Sequence, residues 1–177
     1  MNLPNKITMI RVILIPFFVF FMLTDFVPYS NVIAVAIFIV ASLTDTLDGY
    51  LARKYELVSN FGKFMDPLAD KLLVCSALVC FVADASNPMP VWGVIIIISR
   101  DFIISGFRLV ASDAGVVIAA SWWGKIKTTV QMIMVGFLIA DLKVFYIFDQ
   151  VLIYLALALT LISLGDYLYH NREDLKD

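Results

Sequence analysis

Six long apolar runs, separated by short polar clusters, order this chain from end to end. The stretches 32–43, 72–83 and 151–164 carry no charge at all. A helix needs about 20 mostly apolar residues to cross the hydrocarbon core of a bilayer. The runs therefore predict six membrane helices, over 9–23, 31–53, 63–83, 91–110, 119–140 and 144–169, preceded by a short N-terminal interfacial segment. Pro16 falls inside the first helix and is expected to kink it. Pro67, near the start of the third, is tolerated if it occupies the first turn, where its missing N–H has no helical partner anyway. The Ser-Asn-Pro and second proline within 84–90 mark a turn. A charged tail, 171–177, closes the chain.

Composition supports that pattern. Hydrophobic residues make up 62% of the 177 positions and the mean hydropathy is +0.92, beyond the apolar share of a soluble globular domain. The expected architecture is an all-α, polytopic membrane protein forming a single domain over 1–177. Of its 13 Lys and Arg, only Lys143 falls among the turns 25–30, 84–90 and 141–149. The other twelve map to the opposite side or to helix depths near it. That bias places both termini in the cytoplasm by the positive-inside rule. Trp92, Trp122 and Trp123 lie near helix ends, where an aromatic belt forms. The polar start, 1–11, runs into the first apolar stretch without a small-residue cleavage site, so no cleavable signal peptide is expected. Cys75 and Cys80 share one apolar stretch without zinc-ligand spacing and read as small apolar residues. His170, the only histidine, reads as an interfacial side chain, and Asp166 one turn earlier as a hydrated surface charge.

The apolar background makes four aspartates conspicuous. Asp45, Asp48, Asp66 and Asp70 stand in the string D-x-x-D-G-x-x-A-R-x8-G-x-x-x-D-x-x-x-D, together with Gly49, Ala52, Arg53 and Gly62. Within each pair the spacing of three or four residues puts both carboxylates on one helix face. Clustered carboxylates repel one another and resist desolvation, so they persist chiefly where a cation neutralises them. A single pair is ordinary at a solvated helix end; two pairs with placed glycines are not. Mg²⁺ prefers carboxylate, water and phosphate oxygens, and two such ions held roughly 3.5–4 Å apart clamp both sides of a phosphoryl displacement. Mn²⁺ takes the same ligands. Gly49 and Gly62 either clear space for a nucleotide or allow close helix packing, and Ala52 suits packing. Arg53 pairs either with a diphosphate or with one of the aspartates.

This string resembles the signature of the CDP-alcohol phosphotransferases at each of its eight defined positions within 26 residues. Six helices with cytoplasmic termini are similar to that family as well. The resemblance implies that Asp45, Asp48 and Asp66 are metal ligands. It implies that Asp70, grouped with them at the metal, is the general base that takes a proton from the attacking hydroxyl. It also implies a homodimer.

Arg100, Arg108, Lys125 and Lys127 are cations in the otherwise apolar fourth and fifth helices. Charge at membrane depth is costly and usually functional. One reading pairs Arg100 with Asp101 and lets the lysines reach the interface. The other makes a basic pocket opposite the acidic site, suited to the phosphate of a second substrate. Pro4-Asn5-x-x-Thr8-x-x-Arg11, Arg100-Asp101-Phe102 to Ser105-Gly106-Phe107-Arg108, and Gly124-Lys125-Ile126-Lys127-Thr128 are similar to the bacterial phosphatidylglycerophosphate synthases. Glutamate in place of Asp101 and Thr-Gly-Leu-Arg in place of Ser-Gly-Phe-Arg would match that subfamily better. Asn5, Thr8 and Arg11 are expected to line the nucleotide or phosphate side of the cleft, although helix capping explains Asn5 equally well.

The resemblance thus implies a metal-dependent transferase in the cell membrane, with its active site toward the cytoplasm. It would move the phosphatidyl group from CDP-diacylglycerol to glycerol 3-phosphate, giving phosphatidylglycerophosphate and CMP. Inositol phosphate is the alternative acceptor. A divalent-cation transporter is the rival from another class, but it would need midplane polar groups and often shows inverted repeats. Here the acids cluster toward one face and no repeat is visible.

Overall fold

The computed structural model describes the backbone of residues 3–24, 26–54, 60–113 and 121–170; the side chains of 3–5, 45–54, 60–67, 70, 112–113 and 143 lie outside the described set. Every regular element among the described residues is a helix. It forms α1 (Leu3–Leu23), α2 (Ser30–Lys54), α3 (Asn60–Ala83), α4 (Val91–Asp113), α5 (Trp122–Ala140) and α6 (Tyr146–His170), with a 3-10 turn over Lys143–Phe145 before α6. The expected tail 171–177, and most of the turn between α2 and α3, fall outside the described residues.

The sequence separated a short interfacial segment from the first membrane helix; the structure joins them. α1 starts at Leu3 and runs unbroken through Pro16. Pro4 sits in its first turn, where a proline costs no hydrogen bond, and no helix breaker follows before Arg11. One side of α1 is the buried stripe Thr8, Arg11, Ile15 and Phe18; another is the exposed stripe Ile10, Ile13, Phe17 and Phe20. Both follow helical spacing of three and four residues. The buried stripe begins polar and becomes apolar, so a hydropathy run alone starts the helix too late.

Two compact units make up the chain. The first holds 1–85 and 135–141, and its core lies where α1 packs against α2 and α3. Phe18 meets Phe38 with ring centroids 6.2 Å apart, among buried Ala34, Ala41, Leu73, Ala77 and Phe81. Val19 and Leu23 of α1 share an apolar recess of about 300 Å³ with Cys75, Val79 and Ala83 of α3. The C-terminal ends of α1 and α3 are therefore neighbours, and α2 returns along α1 in the opposite direction. Hence the start of α1, the end of α2 and the start of α3 lie at one end of this unit.

The second unit holds 86–134 and 142–177. α4 and α6 run alongside each other, with Phe107 and Tyr167 at 6.5 Å between ring centroids. Gly93 lets α4 approach closely: a Cβ there would lie 3.2 Å from Pro90 Cγ and 3.3 Å from both Leu157 methyls. Gly93→Val is expected to destabilise the protein by about 1–3 kcal/mol through overpacking, read as a lower unfolding temperature in detergent. α5, whose residues from 135 onward belong to the first unit, ends at Ala140 with Asp141 in the left-handed region (φ 44°), a conformation that closes many helices.

Hydroxyls inside the helices are satisfied locally. Ser42, Thr44, Ser105, Thr128, Thr160 and Ser163 each donate to a backbone carbonyl one turn earlier, at 2.6–3.0 Å. Among the described residues, two helical stretches are long and apolar enough to cross a membrane, Lys6–Leu23 and Tyr146–His170. Ser30–Thr44 and Lys71–Ala83 are shorter apolar stretches.

Candidate active site

The aspartate string maps onto two helices of the first unit. Asp45 and Asp48 lie one turn apart in the second half of α2, with Gly49, Ala52 and Arg53 continuing towards its end. Asp66 and Asp70 lie one turn apart in the first half of α3, after Gly62. Helix register thus gives each pair one face, and the antiparallel course of α2 and α3 brings both pairs to the same end of the unit. The side chains of all these residues, and of Asn5, lie outside the described set. Among the side chains that are described, no three metal-ligating groups cluster. Thr8 and Arg11 come to this same end from α1 and are buried, Arg11 with 1% of its surface exposed. A guanidinium so enclosed needs polar company, and Arg11 has it.

In the second unit, α4 and α5 build a compact charged cluster. Asp101 Oδ1 accepts hydrogen bonds from Lys127 Nζ at 2.5 Å and from Arg100 Nη1 at 3.1 Å. Lys127 and Arg100 are buried, at 1% and 8% exposure. Gly124 borders this cluster: a Cβ at this position would stand 3.5 Å from Arg100 Nη2 and 3.4 Å from Ser121 Oγ, ordinary van der Waals distances. The N-terminal turn of α5 is tied down there, since Ser121 Oγ accepts from the Gly124 N–H at 3.1 Å. Arg108, two turns beyond Arg100 on α4, is half-buried, and its Nε has no hydrogen-bond partner; neither does Arg100 Nε.

Of the four expected basic residues, Lys125 is placed apart. It is exposed, with Nζ 5.5 Å from the centroid of the Trp122 ring. Two residues along a helix turn the side chain by about 200°, so Lys125 and Lys127 leave opposite sides of α5. Cation–π contact with a tryptophan is a common setting for such a lysine.

Two groups were not foreseen as site residues. Asp101 was read only as a local partner of Arg100; its bond to Lys127 joins positions 26 residues apart, which no short-range pattern signals. Gln131, one turn beyond Lys127 on the buried side of α5, has an Oε1 without a hydrogen-bond partner. Exposed His170 and half-buried Asp166 pair at the end of α6, with Nδ1 and Oδ1 3.2 Å apart.

Comparison with known proteins bears on this arrangement. Residues 1–162 match the family model described as CDP-alcohol phosphatidyltransferase. The chain is 44% identical to a CDP-diacylglycerol–glycerol-3-phosphate 3-phosphatidyltransferase of Bacillus subtilis, covering 99% of this chain and 97% of that protein. Proteins of the same name from Haemophilus influenzae and Escherichia coli K12 are 42% and 38% identical, again over 99% of this chain and 96% and 98% of theirs.

Proposed function

This chain belongs to the CDP-alcohol phosphatidyltransferase family, and from that premise we propose that it transfers the phosphatidyl group of CDP-diacylglycerol to glycerol 3-phosphate, releasing CMP. The observation that carries this reading is similarity to transferases of that name along 99% of the chain.

The donor set suits divalent cations. Asp45, Asp48, Asp66 and Asp70 are all oxygen ligands, paired by helix register at one end of the first unit, and four carboxylates so gathered match the preference of Mg²⁺ or Mn²⁺. One or two such ions would offset the charge that develops on the phosphoryl oxygens and on the leaving CMP. Asp70 takes the proton of the free primary hydroxyl of glycerol 3-phosphate. That oxygen attacks the phosphorus bearing the diacylglycerol, a new P–O bond forms, and the bond to the bridging diphosphate oxygen breaks. CMP departs with the electron pair. Gly49, Ala52, Arg53, Gly62, Asn5, Thr8 and Arg11 line the nucleotide end. Arg100, Arg108 and Lys127 hold the phosphate of the acceptor, with charge-assisted hydrogen bonds that discriminate it from uncharged alcohols. Lys125 adds positive charge at the rim.

All six helices cross the membrane in this proposal, with termini and active site toward the cytoplasm, and the protein is a homodimer. Exposed apolar side chains support burial in lipid: Ile10, Ile13, Phe17 and Phe20 on α1 and Val151, Tyr154, Leu155 and Ile162 on α6 would cost free energy in water.

CMP release by the purified protein in detergent tests the reading. Glycerol 3-phosphate, inositol phosphate, serine and no acceptor are compared with CDP-diacylglycerol and Mg²⁺ present. Release with glycerol 3-phosphate alone, lost in EDTA and restored by excess Mg²⁺, is expected; release with another alcohol would reassign the acceptor. Arg108→Ala is expected to raise KM for glycerol 3-phosphate about tenfold, the size of one charged hydrogen bond, and to leave KM for the CDP-lipid nearly unchanged. Equal effects on both would remove Arg108 from the acceptor site.

A further inference from the structure

One carboxylate oxygen in the second unit serves two cations from two helices. Asp101 Oδ1 receives Lys127 Nζ from α5 and Arg100 Nη1 from α4. Lys127 is almost wholly enclosed, and a cation in that position needs a compensating anion. Asp101 supplies it. The three groups together carry a net charge of +1.

A carboxylate beside an anion site acts in two opposite ways. Its charge repels the incoming phosphate, and its hydrogen bonds fix the donors that phosphate needs. Geometry favours the second effect here. Arg100 is held by Asp101 at Nη1, while its buried Nε has no hydrogen-bond partner. The Ser105 hydroxyl donates to the Asp101 main-chain carbonyl at 2.6 Å and so does not occupy the carboxylate. A guanidinium and an ammonium locked to one oxygen lose little further freedom when a ligand arrives, which is the benefit of preorganisation.

We propose that Asp101 is a positioning residue of the acceptor site, clamping Lys127 and Arg100 in the arrangement that receives a phosphomonoester. This rests on the reading of the basic residues given above. Its direct contacts are with the two cations, and it acts on the substrate through them.

The test compares wild type with Asp101→Asn, which keeps the shape and removes the charge, and Asp101→Glu, which keeps the charge. KM for glycerol 3-phosphate is expected to rise about tenfold in Asp101→Asn and to return to within about threefold of wild type in Asp101→Glu. KM for CDP-diacylglycerol is expected to stay within about twofold in both. An unchanged or lower acceptor KM in Asp101→Asn would overturn the clamp, the lower value showing that repulsion dominates. A loss confined to the fraction of active enzyme, with both KM values unchanged, would also overturn it and leave a purely structural role. Binding of inorganic phosphate, read from its concentration dependence in thermal unfolding, separates this inference from the reaction assignment. If wild type released no CMP, the transferase reading would fail. The clamp would then stand or fall on whether Asp101→Asn weakens phosphate binding about tenfold or leaves it unchanged.

Discussion

Asp70→Asn is expected to lower the rate of CMP release about a thousandfold, with KM for CDP-diacylglycerol changed by no more than a few fold. Proton transfer by a placed side chain contributes roughly 10²–10⁴ to rate. Asparagine has the volume of aspartate and keeps one oxygen in place, but its amide does not accept a proton near neutral pH. The position is one helical turn beyond Asp66 on α3, close enough to share a site with that residue. The competing role for Asp70 is that of metal ligand alone. In that case the variant would need far more Mg²⁺ for half-maximal activity, and saturating Mg²⁺ would restore most of the rate. A rate that stays low at every Mg²⁺ concentration, in protein that still binds CDP-lipid, supports the base. Recovery at high Mg²⁺ rejects it.

Lys127→Ala and Lys125→Ala should behave as opposites although the residues are two apart. Lys127→Ala removes a buried ammonium from the acceptor cluster and leaves Asp101 with Arg100 alone. A hydrogen bond between charged groups contributes about 1.5–3 kcal/mol, and about 1.4 kcal/mol is tenfold in an equilibrium. The expected rise in KM for glycerol 3-phosphate is therefore about 10- to 100-fold, accompanied by a lower unfolding temperature because a buried ion pair has lost one partner. Lys125→Ala removes an exposed ammonium stacked on Trp122, and its acceptor KM should stay within about twofold. Similar kinetic effects of the two substitutions would show that the phosphate sits nearer the mouth of α5 than the Asp101 cluster.

That contrast shows what could be read from the sequence and what could not. Helix positions were legible because apolar runs and turn chemistry agree: Pro90 directly before Val91 marks the start of α4 to the residue. The start of α1 was not legible, since the polar residues before Met9, among them the inward-facing Thr8, read to a hydropathy run as outside the helix. The aspartate string could be assigned to two helices from spacing alone, and α2 and α3 carry it as expected. The basic residues were grouped by being charged in apolar surroundings, which ignores angle around the helix axis; angle is what separates Lys125 from Lys127. The bond between Asp101 and Lys127 was beyond reach for a different reason. It depends on where the fold brings Lys127 of α5 to Asp101 of α4, a tertiary fact with no local signature.

The same bond bears on how the chain enters a bilayer. On the six-crossing arrangement proposed above, α4 alone would present Arg100, Asp101 and Arg108 to lipid, and α5 alone would present Lys127 and Gln131. Either helix inserted singly would carry uncompensated charge into hydrocarbon. Together the four ionisable groups still carry a net charge of +2, but Lys127 then has the Asp101 carboxylate beside it. α4 and α5 are thus suited to leave the insertion machinery as a pair, with the ion pair closing between them before either faces lipid on all sides.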